Sequence, residues 1–513
     1  MSVSQLTTLD EGVKPPRPSS HSVMRVHGWW VLPLLLIGIV YAVTFDHDFV
    51  DFDDPVIFLD NPQLQTTELA TLGVLFDWQR TTDYRPVRDV SHWLDFIVHQ
   101  QDPFWAHVHQ WALLLLVVFL FSRVLNGLGY GGPIGAAILL ISFLHPVQTE
   151  VVAWVSGRKD LLAAAGLFGA CWMVLRAFRH PRVFYLGVVP AVMVFGLFSK
   201  GHLVVTPVIL GVLLLHQQWR GNPCTRPWIP WAAVGLSAGT VLCLIPRITT
   251  GPANLSPTLQ SSIETSVVLT DQLQIPLRYF KNLLWPLDLN HIYMTTAVDT
   301  GHLVFAGASA LVTLVLIALG LWWCSRRDGR GPLLMASGAL LMPYLHLVPN
   351  TVYMADRYLF CLLPFLTTVA VLTMGRIIVS ARIRAGLVAV IVLVLLGLTF
   401  QTALVWRNSE TLWTRMVAVY PQSDWGYQRL GRYFYRQARY ADATGAFLAA
   451  AERDPQDSGH LNNAAVSAMA LGQNVVAVEL LQRALRIDPG NRQARGNLKK
   501  LGRSMPSSIN RAP

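Results

Sequence analysis

Residues 385–405 read AGLVAVIVLVLLGLTFQTALV, a stretch without a charged side chain. About 20 apolar residues form a helix long enough to cross the roughly 30 Å hydrocarbon core of a bilayer, so this stretch predicts a transmembrane helix. The whole chain of 513 residues agrees, because 53% of its residues are hydrophobic and 14% are charged, against about 25% charged in soluble domains. This composition excludes an ordinary soluble enzyme and a chain that is disordered throughout.

Ten further apolar stretches precede this one, so we expect an all-α unit of eleven spans over residues 29–405, with disordered ends at 1–28 and 504–513. Several stretches are short or contain proline, which leaves the count open by one. The eleven lie near Trp29–Phe45, His107–Leu125, Ile134–Leu144, Leu161–Phe178, Phe184–Phe198, Leu203–Trp219, Trp228–Ile245, Leu303–Cys324, Pro332–Val348, Leu359–Met374 and Ala385–Val405. The first lacks an A-x-A cleavage site and is predicted to be an uncleaved anchor.

The charged residues predict how these spans are oriented. Loops on one side hold fifteen Lys or Arg and three Asp or Glu, whereas the first loop on the other side, 46–105, holds twelve acidic residues and three basic ones. Because positive charge is retained in the cytoplasm, we expect the N-terminus inside and the C-terminus outside. A bacterial inner membrane fits, and an endoplasmic reticulum membrane would give the same pattern. The net charge of +10 then reflects topology, and no nucleic-acid partner is expected.

Beyond residue 405 the chain becomes polar and repeats itself every 34 residues. Small and large residues recur in two clear units, 424–457 and 458–491, in the tetratricopeptide pattern. The first unit has Leu430, Gly431, Ala443, Phe447 and Pro455, and the second has Ala464, Ala465, Ala477, Leu481 and Pro489. The pattern predicts an α-solenoid over 406–503 whose groove binds a protein or peptide. The alternative is a domain that only caps and stabilises the membrane unit.

The first outward loop contains the most acidic point, Asp51-Phe52-Asp53-Asp54-Pro55. Adjacent carboxylates repel each other and raise at least one pKa, which suits a general base, or they can share a divalent cation. Asp53 and Asp54 are therefore the candidate catalytic pair. The alternative is that the acidic run only solvates the loop and caps its turns.

Other outward loops carry candidate binding residues. Four cations beside predicted helix ends suit a charged phosphate headgroup whose lipid tail stays in the bilayer: Arg158, Lys159, Lys200 and Arg357. Four further polar residues are candidates for substrate binding: Arg85, His145, Glu150 and His346. Membrane-edge cations also extend to lipid headgroups without a specific role, which remains the alternative. The histidines lack metal-ligand spacing, and neither a phosphate-binding G-x-x-x-x-G-K-[ST] nor a dinucleotide G-x-G-x-x-G motif is present.

Four motifs occur in an order that resembles the transmembrane and tetratricopeptide-repeat O-mannosyltransferases and their bacterial homologues. They are Asp53-Asp54-Pro55, Tyr84-Arg85-Pro86, HPVQTEVVAWVSGRKD at 145–160, and Ala355-Asp356-Arg357-Tyr358. The resemblance covers about 45–488 and implies a GT-C membrane glycosyltransferase. Such an enzyme moves mannose or another hexose from a polyprenyl-phosphate carrier to Ser or Thr of proteins on the non-cytoplasmic side, and the acids of its first outward loop, here Asp53 and Asp54, form the catalytic centre. With this resemblance we predict Asp53 as the base, Asp54 as the residue that orients the acceptor or the sugar, and the four cations as ligands of the carrier phosphate.

Two other functions remain open at this stage. The same fold could glycosylate a lipid or glycan acceptor, with the repeats recruiting a partner. Alternatively, the chain could be a non-catalytic membrane scaffold whose repeats bind envelope proteins. A transporter is disfavoured because the charges lie at helix ends and no inverted repeat is evident.

Overall fold

The structure is a computed structural model that describes residues 28–77, 84–176, 187–219, 265–293, 300–345 and 354–504. Across these ranges the secondary structure is helical and contains no strand, which confirms the all-α prediction. The α-helices are α1 (Val31–Tyr41), α2 (Thr71–Leu75), α3 (Pro86–His99), α4 (Pro103–Leu128), α5 (Gly132–Phe143), α6 (Thr149–Ala153), α7 (Arg158–Leu175), α8 (Val189–Ser199), α9 (Thr206–Trp219), α10 (Thr265–Leu284), α11 (Thr300–Ser325), α12 (Arg330–Leu341), α13 (Leu363–Ile377), α14 (Ala381–Val405), α15 (Ser409–Val419), α16 (Asp424–Arg436), α17 (Tyr440–Arg453), α18 (Ser458–Ala470), α19 (Asn474–Ile487) and α20 (Arg492–Ser504).

Several of these helices could span a membrane. By length and composition, four helical segments in the described ranges qualify: Pro103–Leu128, Gly201–Trp219, Gly301–Ser325 and Ala381–Val405. The segments Gly132–Phe143 and Pro146–Ala153 meet at 60° and would make a fifth span together. Val31–Asp46, Val189–Ser199 and Leu363–Ile377 are apolar but shorter. The predicted span Trp228–Ile245 lies outside the described residues, as do parts of Phe184–Phe198 and Pro332–Val348.

One long helix was absent from the sequence prediction. Helix α10 lies between two predicted spans, where the sequence predicts a loop, and it contains Pro276. Its Tyr279 hydroxyl donates to the Ala355 carbonyl at 3.0 Å, and its Asn282 amide donates to the Asp356 carboxylate at 3.0 Å. The helix therefore supports the segment that carries the candidate residue Arg357.

The membrane unit is held together by close helix packing around a buried apolar core. Helices α4, α7 and α8 pack side by side, with α7 between the other two. A Cβ atom on Gly166 of α7 would lie 2.7 Å from the Cα of Gly196 in α8. Such small residues let the two backbones touch, which is how helices in a bilayer gain van der Waals contact.

Six helices, α15 to α20, follow the last apolar helix, and each contacts the next. Their shared interior is rich in alanine, and the Phe447 ring lies so close to Gly431 that a Cβ there would be 2.8 Å away. Asn408 begins the series as the N-cap of α15, where its side chain accepts the Thr411 N–H at 3.0 Å. Helix α16 begins at residue 424 and helix α18 at residue 458, so the two starts are 34 residues apart.

Candidate functional site

Asp54 is the buried centre of the loop that follows α1. Its carboxylate accepts the backbone N–H of Val50 at 3.0 Å and that of Ser156 at 3.1 Å, and it also accepts the Ser156 hydroxyl. Burial raises its pKa to about 6, while the hydrogen bonds from Ser156 and Val50 act in the opposite direction. Asp54 therefore joins the acidic loop to the turn before α7, 102 residues further along the chain.

Asp53 has different surroundings from its neighbour. Its side chain is 41% exposed, and its Oδ2 lies 3.8 Å from the Nζ of Lys159, which is buried. The Lys159 ammonium also lies 4.7 Å from the centre of the Trp154 ring. Asp53 is thus an accessible carboxylate beside Lys159. The Trp154 ring and the start of α7 fix the position of the Lys159 ammonium.

Arg357 lies on the other side of this group and pairs with Glu150. Its guanidinium forms an ion pair with the Glu150 carboxylate, and its backbone N–H donates to Glu150 Oε2 at 2.9 Å. The same guanidinium lies 5.4 Å from the Trp154 ring and 5.2 Å from the Tyr358 ring. The structure therefore brings Lys159, Arg357 and Glu150 together around Trp154.

Lys200 extends the group through Tyr358. Its ammonium pairs with Asp160 and lies 5.1 Å from the rings of both Tyr344 and Tyr358, which stack on each other at 4.2 Å. Three of the four predicted cations thus share neighbouring aromatic rings. Buried charges are rare unless they are paired, and perturbed charge clusters are common at functional sites.

The structure places three of the other predicted site residues among protein groups, and the fourth lies outside the described residues. Arg158 is fully buried, pairs with Asp95 and donates to the Ala106 carbonyl at 3.1 Å, so protein groups engage its guanidinium. His145 accepts the Val147 N–H at 3.3 Å and lies 3.0 Å from the Leu283 carbonyl, at the bend between α5 and α6. Arg85 precedes α3, and its charge acts on Lys159. His346 lies outside the described residues.

The C-terminal helices contact the acidic loop directly. The Asp51 backbone N–H donates to Ser409 Oγ at 2.7 Å, and Asp51 Oδ2 lies 3.1 Å from the Arg436 guanidinium. Phe52 lies among aromatic rings from both units, 5.1 Å from Trp154 and 6.0 Å from Trp413. The acidic loop therefore lies between the apolar helices and helices α15 and α16.

Sequence reasoning missed the aromatic residues and most acidic partners of this site. Trp154 and Asp160 lie inside the quoted 145–160 block, and Tyr358 follows Arg357 directly, so aromatic residues next to cations were an available signal. Asp95 and Tyr344 stand in stretches without any motif, and only the fold brings them to Arg158 and Lys200.

The described acids and histidines near Asp53 do not form a group that could hold a metal. Within the part of the chain that the structure covers, the one group with suitable spacing is Asp424, Asp454 and His460 in the C-terminal helices. Comparison with known proteins adds no assignment, since no protein-family model, curated protein or solved structure matches the chain. The function is therefore argued from the geometry of the site.

Proposed function

We propose that the chain is a membrane glycosyltransferase that moves a hexose from a polyprenyl-phosphate carrier to a Ser or Thr hydroxyl of a protein. The observation that carries the proposal is the accessible carboxylate of Asp53, 3.8 Å from Lys159, beside Arg357 and Lys200 on shared aromatic rings. A base next to a cationic cluster at the edge of apolar helices suits a donor with a charged phosphate and an apolar tail.

The proposed reaction is a direct displacement. The acceptor hydroxyl oxygen bonds to the anomeric carbon, the bond from that carbon to the carrier phosphate breaks, and the hydroxyl proton passes to Asp53. Lys159, Arg357 and Lys200 stabilise the negative charge that the leaving phosphate gains. Asp54 contributes by fixing the loop, because backbone and hydroxyl donors already engage its oxygens. One base and a good leaving group need no covalent intermediate, so the sugar inverts its configuration.

We further propose eleven spans with the N-terminus in the cytoplasm, and a tetratricopeptide solenoid of α15 to α20 outside. The contacts of Asp51 with Ser409 and Arg436 support a location of these helices beside Asp53. A protein acceptor bound to them would then reach the loop without crossing the membrane.

The test is transfer by the purified full chain in proteoliposomes, with a polyprenyl-phosphate hexose donor and a Ser/Thr peptide. Asp53→Asn removes the base and is expected to lower kcat by at least about a hundredfold. Asp48→Asn is the matched control, because it makes the same change at an exposed position in the same loop and should keep the wild-type rate.

Full transfer by Asp53→Asn would refute the assignment of the base. If Asp53→Asn abolishes transfer to lipid or glycan acceptors while the peptide is never modified, the glycosyltransferase proposal stands with a different acceptor. Two results together would favour the scaffold. The wild-type protein would transfer to none of these acceptors, and the wild type and Asp53→Asn would restore a deletion strain equally well.

A further inference from the structure

A cavity of about 150 Å³ lies where the end of α14, the loop 285–293 and α15 meet. Its polar lining includes Glu150, Asn290, His291, Asp356, Gln401 and Arg415, and Trp406 forms part of its apolar wall. Arg415 donates to the Leu287 carbonyl at 2.7 Å and so connects α15 to the loop at this point. Asp53, Asp54, Lys159 and Lys200 do not line the cavity, so it is separate from the proposed base and ammonium groups.

Two polar side chains that line the cavity are buried and unsatisfied. Asn290 is 4% exposed and His291 is 3% exposed, and neither Asn290 Nδ2 nor His291 Nε2 has a hydrogen-bond partner. The Asn290 side-chain oxygen Oδ1 accepts the backbone N–H of His291 at 2.9 Å, which leaves the side-chain nitrogen Nδ2 as the unsatisfied donor. Leaving a buried polar group without a hydrogen-bond partner destabilises the fold, so two such groups at one cavity point to a bound polar molecule.

The charges around the cavity restrict what that molecule can be. The lining holds two carboxylates, Glu150 and Asp356, against one cation, Arg415, so its charge does not favour an anion, and an apolar ligand would leave Asn290 and His291 unpaired. Burial lowers the pKa of His291 to about 3, so its imidazole is neutral near pH 7. The described lining residues also lack the spacing of a metal site. A neutral molecule with several hydroxyl groups can both accept from Asn290 and donate to the carboxylates.

The volume of the cavity suits a six-membered ring. A cavity of about 150 Å³ elsewhere holds a benzene molecule, so this volume admits the six ring atoms of a pyranose, and because the cavity is partly open the ring substituents can extend beyond it. Trp406 offers an aromatic surface and stacks on Trp154 with ring centres 5.9 Å apart. Trp154 in turn lies beside the Lys159 ammonium, which connects the cavity to the site around Asp53.

We propose that this cavity binds the pyranose ring of a neutral sugar through Asn290, His291, Asp356 and the face of Trp406. The binding itself does not require transfer activity. Its role rests on the proposed function, in which the ring belongs either to the lipid-linked donor or to a sugar already present on the acceptor.

Binding can be measured by saturation-transfer NMR on the full chain in nanodiscs, with methyl α-mannopyranoside and methyl α-glucopyranoside as probes. The wild type should give a saturable signal. Asn290→Asp replaces the free donor by an acceptor and should weaken binding at least tenfold. Gln401→Trp should do the same by filling the cavity from an exposed position, so it serves if Asn290→Asp fails to fold. Asp288→Asn, exposed in the same loop and outside the cavity, is the control.

A signal that is absent in the wild type, or unchanged by Gln401→Trp, would overturn the sugar site. In the transfer assay, a raised KM for the donor in Gln401→Trp would assign the ring to the donor, and a raised KM for the acceptor would assign it to the acceptor. Asp53→Asn should bind both probes like the wild type. A fully active Asp53→Asn would refute Asp53 as the base but would leave the sugar-binding result unchanged. Failure of sugar binding would likewise leave the assignment of the base unchanged.

Discussion

Asp53 and Asp54 are adjacent in the chain, but only Asp54 is enclosed by backbone donors. Val50 and Ser156 occupy the Asp54 carboxylate, whereas Asp53 keeps an exposed face next to Lys159. The pair could be recognised from the sequence, because two acids follow an apolar stretch. Its division into a positioning residue and an accessible base depends on Ser156, 102 residues away, and no local pattern contains that information.

Asp54→Asn should change how stability depends on pH. The folded pKa of Asp54 is raised to about 6 from 3.8, so Asp54 favours folding below pH 3.8, and this contribution is lost as the pH rises through 6. The free energy of unfolding of the wild type, relative to that of Asp54→Asn, should therefore rise by about 2 kcal/mol between pH 7 and pH 4. The measurement is thermal unfolding of both proteins in the same detergent across this range. A difference independent of pH would contradict the assigned environment of Asp54.

Arg158 is expected to act in folding, because Asp95 and the Ala106 carbonyl engage its guanidinium. Arg158→Ala leaves the Asp95 carboxylate without this partner, and breaking a buried ion pair lowers the free energy of unfolding by about 3–5 kcal/mol. Replacing both residues, as in Arg158→Met with Asp95→Leu, should recover much of that loss. Thermal unfolding compares the three proteins. If Arg158→Ala instead keeps the wild-type stability and raises the donor KM, Arg158 binds phosphate as the sequence suggested.

At the scale of helices, the sequence offered two patterns for prediction, hydropathy and periodicity. The long apolar stretches correspond to α4, α11 and α14, and α16 and α18 begin 34 residues apart, which is the period of the sequence repeat. Helix α10 was missed because its apolar residues lie on one face and its mean hydropathy is too low for a span. Helix α7 begins with three charged residues, Arg158, Lys159 and Asp160, which form ion pairs in the fold. Its apolar part is therefore short.

The contact between α7 and α8 gives a prediction for a single methyl group. Gly166→Ala places a Cβ 2.7 Å from the Cα of Gly196, and backbone atoms cannot move aside without separating the helices. We expect a loss of about 1–3 kcal/mol in the free energy of unfolding. Gly169→Ala is the matched control on the same helix, because its Cβ would meet the Val192 side chain at 3.5 Å, an ordinary contact. Equal thermal unfolding midpoints for the two variants would contradict this packing.

At the scale of the whole molecule, the decisive feature is contact between parts distant in sequence. Asp51 meets Ser409 across 358 residues, and Phe52, Trp154 and Trp413 pack together. Sequence reasoning proposed both the acidic loop and the repeats but had no means to join them, since single-sequence patterns report local structure. Their contact requires that the loop after α1 and the helices after α14 lie on the same side of the membrane.

This requirement allows only an even number of crossings between residue 51 and residue 409, and ten of the eleven proposed spans lie between them. Labelling of single-cysteine variants on intact cells with a membrane-impermeant maleimide tests whether both segments lie on the same side. The native cysteines are first replaced by alanine. Asp48→Cys and Glu452→Cys, both exposed, should react, whereas Arg382→Cys should react only after permeabilisation and so controls for leakage. Protection of Glu452→Cys while Asp48→Cys reacts would put the repeats on the opposite side. The contact of Asp51 with Ser409, and with it the delivery of an acceptor to Asp53 by the repeats, would then be wrong.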